Sequence, residues 1–246
     1  MAPPHDPPGP EGVAGLLDLD DAQFDTLKVL SRALHVKEAD LPQTLEAILS
    51  AATSVIRCAD HAGVNLLVRD RLEPQATVGS APPRLDELQQ RTGVGPCFDA
   101  SRHQCVVRVA DMADESRWPE FAAAATTLGV HSMLCVPLWV DDRRLGSLSL
   151  YGAAPEAFDA AAAQLADLYA THAAVALADA QRTDQLRRAM ANRDVIGQAK
   201  GVLMERHRIT GDEAFEMLKE ASRRLNRKIV DVAETLAHSG ELSGPS

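Results

Sequence analysis

The stretch that most constrains this chain runs from Glu156 to Ile196, with no proline or glycine to interrupt it. Within it, Leu165, Leu168, His172, Val175, Asp179, Arg182, Leu186, Ala189, Arg193 and Ile196 recur in alternating steps of three and four. That spacing predicts one continuous helix carrying a heptad seam, a signalling helix or coiled coil over 165–196. His172, Asp179, Arg182 and Arg193 are polar, so a coil of two copies is weakest near its middle. Up to residue 176 the apolar positions could equally pack on a sheet. Beyond 178 a parallel homodimer is the expectation. A marginal coil suits signalling, because coupling of about 1–3 kcal/mol is enough to change its register or packing.

Composition sets outer bounds. The chain has 246 residues, room for one large domain or two small ones. Aromatics are only 4% against 46% hydrophobic residues, so the cores must be built from Ala, Leu and Val. No apolar run is long enough to cross a bilayer, and no basic-then-apolar segment opens the chain, so the expected location is cytoplasmic, with no membrane partner. Net charge is −10, yet residues 184–240 hold 11 Lys+Arg and 9 Asp+Glu, leaving the tail near +2 and the rest near −12. A tail so weakly basic would hold a nucleic acid through a focused patch, doubled by dimerisation.

Cys58, Cys97, Cys105 and Cys135 form no C-x-x-C pair and no zinc spacing. Reduced, mostly buried thiols are the plain expectation; a thiol redox sensor is the sharper alternative. His103 and Cys105 are a local ligand pair too small to make a metal site. No nucleophile–base pair, P-loop or paired carboxylate stands out, so the chain does not read as an enzyme.

Residues 1–19 contain a Pro/Gly-rich start and read as a disordered N-terminus. A short amphipathic helix is expected over 20–37, and a second one opens at Pro42. Strands are expected at HAGVNLLVRD and PQATVGS, joined through Asp70-Arg71, and a surface helix at 84–91. Next come a short helix after GVGPC, a strand at 105–109 and a helix ending at Gly129. Two further strands, HSMLCVPLWV and RLGSLSLYG, flank the turn Asp141–Arg144. Strands of this order, with helices before and after, imply an α+β fold, an antiparallel sheet sandwiched by helices. A helical linker and a three-helix bundle would follow.

In the tail, Thr210 and Glu213 form a capping box that opens a helix. Ala214, Phe215, Leu218, Ala221 and Leu225 are its apolar side, joined by Ile229, Val232, Ala233 and Leu236, and by Ile196, Ala199, Val202 and Leu203. Arg193, Gly197 and Lys200 share one stripe, and Gly197 inside a helix is unfavourable by about 1 kcal/mol. Close backbone approach to a partner would justify it. Arg223, Arg224, Arg227 and Lys228 gather around Asn226; by themselves they could merely complement helix C-termini.

Over 183–240 the sequence resembles the ANTAR domain, an RNA-binding module of bacterial transcription antiterminators. The resemblance rests on Arg193, Asp194, Ile196, Gln198-Ala199-Lys200-Gly201, Leu203, Met204 and Arg206. Ala214-Phe215, Leu218, Ala221-Ser222, Asn226 and Val232-Ala233 extend it. It implies a dimer that binds paired RNA hairpins in leader transcripts and prevents a terminator from forming. Carried onto this sequence, Arg193, Lys200 and Arg223, Arg224, Arg227 and Lys228 would contact RNA, with Gln198 or Asn226 reading loop bases. Phe215 is expected to be buried, so base stacking should be minor. A coil continued through Leu203 would bury Arg193 and Lys200, so either the coil splays near Arg193 or coil packing and RNA compete there.

Residues 20–180, chiefly 38–180, resemble a GAF domain, the small-molecule sensing module of bacterial signalling. GVGPC at 93–97, Arg108-Val109 with Ala110-Asp111-Met112, Trp118-Pro119, Gly129-Val130, Ser132-Met133, Val136-Pro137-Leu138 and Leu145–Leu148 carry this. The likeness is closest to GAF domains that actinobacterial proteins fuse to an ANTAR tail. Such domains bind small molecules between the sheet and overlying loops, a pocket that would here draw on Cys97, Phe98, Trp118, His131 and Met133. Neither a cyclic-nucleotide pattern nor a bilin-attachment context is present, and the cofactor is unknown. The combined expectation is an RNA-binding antitermination regulator responding to a small molecule or redox signal. The alternative is a DNA-binding regulator with a GAF sensor, since three small helices also suit a helix-turn-helix.

Overall fold

The computed structural model describes residues 40–69 and 71–239, so the expectations for the N-terminal 1–19 and the helix at 20–37 lie outside the described residues. Two compact units meet between Gln181 and Arg182. In the first, helix α1 (Leu41–Val55) opens at Asp40, whose carboxylate accepts from Gln43 N at 2.9 Å in a reciprocal capping box. Such a cap contributes about 1 kcal/mol. Strands β1 (His61–Val68) and β2 (Arg71–Val78) form a hairpin. Strand β2 begins at Arg71, earlier than the expected PQATVGS, because its outer position in the sheet tolerates Pro74 beside a bulge opposite Val64 and Asn65.

Helices α2 (Pro82–Thr92) and α3 (Pro96–His103) follow, then β3 (Val107–Val109), α4 (Pro119–Thr127), β4 (Ser132–Val140) and β5 (Arg143–Gly152). The β4–β5 turn is only Asp141-Asp142; Arg143 and Arg144 already pair with Val140 and Trp139. Helix α2 is not the surface helix its charges suggested. Leu85, Asp86, Leu88 and Gln89 are buried, and Arg84, Glu87 and Arg91 line its outer side. The sheet is five-stranded and antiparallel, in the order β2-β1-β5-β4-β3, with helices against it, an α+β fold.

Alternation along the strands gives the sheet two unlike faces. On one, Ala62, Val64, Leu66, Leu134, Val136, Leu138, Leu148 and Leu150 pack against α1 and the start of α5 (Ala160–His207). That helix seats Ala166, Ala170, Ala173 and Ala174 there, with Tyr169 and Leu177 between. Alanine brings the helix backbone close to the sheet, and the Tyr169 hydroxyl reaches the Ile48 carbonyl of α1 at 2.5 Å. On the other face, Val107, Val109, Met133, Cys135 and Tyr151 meet α2, α3 and α4.

Helix α5 continues into the second unit without a break. There Ala199 and Leu203 join α6 (Gly211–Leu225) and α7 (Ile229–Ser239) in a core with Ala214, Leu218, Ala221, Val232, Ala233 and Leu236. Helix α6 opens with the expected capping box, Glu213 N donating to Thr210 Oγ1 at 3.3 Å and Thr210 N to Glu213 Oε2 at 2.8 Å. Between the two cores, the heptad positions are outward. Val175 is 57% and Leu186 61% exposed, and His172, Asp179, Arg182, Ala189 and Arg193 are exposed as well. Of the seam only Leu165 packs against the sheet-side core, the rest of that contact being made by other positions, and Leu203 is fully enclosed within its own unit. A coil carried through Leu203 would have to open that core.

Gly146 sits at φ 152 in β5, and a Cβ there would fall on the Asn65 carbonyl oxygen of β1. Gly146→Ala is therefore expected to destabilise the first unit by about 3 kcal/mol or more. Urea unfolding followed by Trp118 and Trp139 fluorescence measures it.

Candidate sensing face and nucleic-acid interface

The face of the sheet under α2 and α3 is built for polar contact. Asn65, Ser147, Ser149 and Tyr151 point to it from β1 and β5, and all are buried. The cause is local. In the segment Ser147-Leu148-Ser149-Leu150-Tyr151 the leucines turn to one face and the polar residues to the other. From α2, Asp86 accepts from Asn65 Nδ2 at 3.0 Å. Gln89 holds the next helix: its Oε1 accepts from Cys97 N at 3.0 Å and its Nε2 donates to Cys97 Sγ at 3.0 Å. Gly95 leaves the space for this, since a Cβ at its φ of 149 would collide with the Gln89 amide. That accounts physically for the glycine and proline of GVGPC: the glycine admits the clamp and Pro96 starts α3.

Cys97 Sγ lies 3.0 Å from Ser149 Oγ and 3.8 Å from Cys135 Sγ. Burial pushes the Cys135 thiol well above the usual thiol range, and the neighbouring Cys97 adds to this. All four cysteines are free; Cys58 is half-buried and Cys105 exposed, so burial holds only for Cys97 and Cys135. Asp86, only 2% exposed, has its carboxyl raised to about 6, chiefly by desolvation, against opposing contributions from Asn65 and Tyr151. Asp86 Oδ2, Ser147 Oγ and the Tyr151 hydroxyl make no hydrogen bond of good geometry within the protein.

The five pocket candidates fall around this face unequally. Cys97, Trp118 and Met133 belong to one buried cluster, with Phe98 packed on it. Trp118 is fixed by the Arg117 guanidinium, 4.3 Å from its ring centroid, while Arg117 pairs with Glu115 at 2.6 Å. His131 is half-buried and is tied through its backbone to Met112 and Gly152. The sequence reading missed Asn65, Asp86, Gln89, Ser149 and Tyr151. The alternation of serines and leucines in β5 carried that signal.

In the second unit the nucleic-acid candidates form two groups. Arg193, Gly197 and Lys200 line one open groove of about 480 Å³, with Ala189, Asn192 and Ile196 of α5 and Phe215 of α6. Gln198 is exposed but outside that lining. The second group stands where α6 meets α7. Asn226, at φ 49, takes the left-handed position that ends α6, and Arg223, Arg224 and Lys228 are exposed around it. Arg227 differs: its guanidinium donates to Asp231 O at 3.4 Å and Thr235 Oγ1 at 3.3 Å, which commits it to holding α7. Phe215 is not buried as expected. It is half-buried and stands apart from the residues of the unit's core.

The arrangement is an antiparallel sheet with one polar buried face, followed by a helical unit that carries two basic groups. A GAF domain family model matches residues 38–178, more than half of the chain, and the chain belongs to that family. An ANTAR domain model matches residues 184–236. Among solved structures, the GAF domain of an Acinetobacter phosphoenolpyruvate-protein phosphotransferase is similar, at 16% identity and a TM-score of 0.55. It spans 68% of this chain and 99% of that one. The corresponding GAF domain from Coxiella burnetii gives 18% identity, a TM-score of 0.50 and coverage of 68% and 99%. None of the curated proteins matches this chain. GAF and ANTAR domains are regulatory, and no helix among the described residues is long and apolar enough to cross a membrane.

The buried Asp86 gives the sensing unit a pH dependence of definite sign. The unfolded carboxyl titrates near 3.8 and the folded one near 6. Between those values the folded state keeps a proton that the unfolded chain releases, so stability falls as pH rises through the window and its loss is complete above it. Asp86→Asn should therefore stabilise the unit by on the order of 2–3 kcal/mol at pH 8, a gain that disappears near pH 4. Denaturant unfolding at the two pH values checks this.

Proposed function

We propose that this chain is a signal-dependent RNA-binding regulator of transcription antitermination. The sensing unit takes a small molecule or a redox signal on the polar face of its sheet, beside Cys97, Phe98, Trp118, His131 and Met133. The tail, acting in a homodimer, binds paired RNA hairpins of a leader transcript. The observation that carries this reading is the coincidence of the ANTAR match, residues 184–236, with a unit that displays Arg193, Lys200, Arg223, Arg224 and Lys228. Exposed guanidinium and ammonium groups neutralise phosphates and set register, while Gln198 and Asn226 offer amide groups to base edges. RNA loops expose such edges; the deep major groove of an RNA duplex does not.

Dimerisation follows the outward seam of α5. The seam positions Val175 and Leu186, with Met190 beside the seam, are large apolar side chains at 57%, 61% and 68% exposure, which a second parallel copy would cover. From Val175 onward the first unit's core uses other positions of the same helix, so both contacts can exist together.

Gel mobility shifts with tandem hairpin RNA, a single hairpin and duplex DNA test the reading. Tandem hairpins should bind tightest. Lys200→Ala and Arg223→Ala should each weaken binding about ten-fold and lower the slope of log affinity against log salt by about 0.7–0.9. Tighter binding of duplex DNA would instead support a DNA-binding regulator.

A further inference from the structure

The groove in the second unit is lined by an aromatic ring, Phe215, that is not among the residues of the three-helix core. Ala214 is fully enclosed in the three-helix core, whereas the next residue, Phe215, points about a quarter-turn away along α6 and stands apart from that core. Its ring instead faces cations. Lys200 Nζ lies 5.9 Å and Lys219 Nζ 5.1 Å from the ring centroid. Lys219 also pairs with Glu216, while Lys200 packs over Gly211 and lines the groove.

The opposite wall is bare helix backbone. A Cβ built on Gly197 would meet nothing within 4 Å, so the glycine is not required by any neighbour in the fold. Its absence of side chain leaves a slot beside Phe215, with Arg193 one turn before and Lys200 about one turn after. Asn192 supplies an amide at the rim, and no acidic residue lines the groove.

We propose that Phe215 is a stacking platform for one unpaired nucleobase of the RNA, which enters the groove between α5 and α6. This rests on the RNA-binding reading above. The base lies on the Phe215 ring against the bare backbone at Gly197. Arg193 and Lys200 neutralise the flanking phosphates, and Asn192 meets the base edge. A planar base fits a slot that an apolar protein side chain would also enter. The surrounding cations decide between them, because a nucleotide brings its own phosphate to them and a protein helix would leave them desolvated without partners.

The probe is an RNA hairpin selected by the wild-type chain from a pool with a randomised loop, then resynthesised with 2-aminopurine at each loop position in turn. Phe215→Leu should weaken binding about ten-fold, and Phe215→Tyr should stay within about two-fold of wild type. At one loop position the emission should be quenched by wild type and not by Phe215→Leu. Gly197→Leu puts a side chain into the slot from a Cβ that meets nothing within 4 Å, and improves helix propensity. It should abolish that quenching while the melting temperature holds or rises, which separates loss of the site from loss of the fold. Binding of the selected hairpin by Phe215→Leu as tightly as by wild type would overturn the stacking while leaving the RNA reading intact. A pool that yields no hairpin would overturn both.

Discussion

The structure depends on close packing of alanine. Helix α5 lies against the sheet through Ala166, Ala170, Ala173 and Ala174, and enters the three-helix core through Ala199. With only 4% aromatic residues, the chain brings backbones together through alanine and places a few rings, Tyr151, Phe158 and Tyr169 among them, at the centre of its cores. Alanine also favours the helix itself, so local propensity and tertiary packing agree along its length. The larger Val175, Leu186 and Met190 lie on the exposed side of the same helix. The same helix therefore builds two cores and retains a separate apolar stripe.

The sheet applies the opposite solution on its two sides. Aliphatic residues fill the face under α1 and α5, and a hydrogen-bonded set of Asn65, Asp86, Gln89, Cys97 and Ser149 fills much of the other. Buried polar groups without full satisfaction lower stability, and Asp86 with its carboxyl raised to about 6 is the clearest instance here. A fold that only needed to persist would have filled this face with leucine, as it did the other. Retaining polar groups at a stability cost is the pattern expected where a protein must recognise something.

In the tail the basic residues divide by duty. Arg227 ties α7 in place through Asp231 and Thr235, while its neighbours Arg223, Arg224 and Lys228 remain exposed. Arg193 and Lys200 stand with Gly197 along a groove floored by Phe215. Charge thus accumulates at two places on a unit whose overall balance is nearly neutral.

Periodicity and local chemistry in the sequence determined the long helix, the capping box at Thr210 and Glu213, the order of strands and helices, and the apolar set of the three-helix core. These are properties of neighbours within a few residues, so they can be read without a fold. Strand limits were less legible: β2 starts at Arg71 because an outer strand accepts Pro74 at a bulge, a fact of sheet position. Helix α2 looked like a surface helix because it is rich in polar and charged residues; Arg84, Glu87 and Arg91 do lie outward, and packing against the sheet buries Asp86 and Gln89. Cys97 and Cys135 are far apart in sequence and 3.8 Å apart in space. Phe215 reads as a core residue from its place beside Ala214, yet tertiary structure turned it outward to Lys200 and Lys219. Composition and spacing state which side chains a helix carries; which of them the core accepts is decided by the angle at which the helices meet, and that angle is set by contacts between segments distant in the chain.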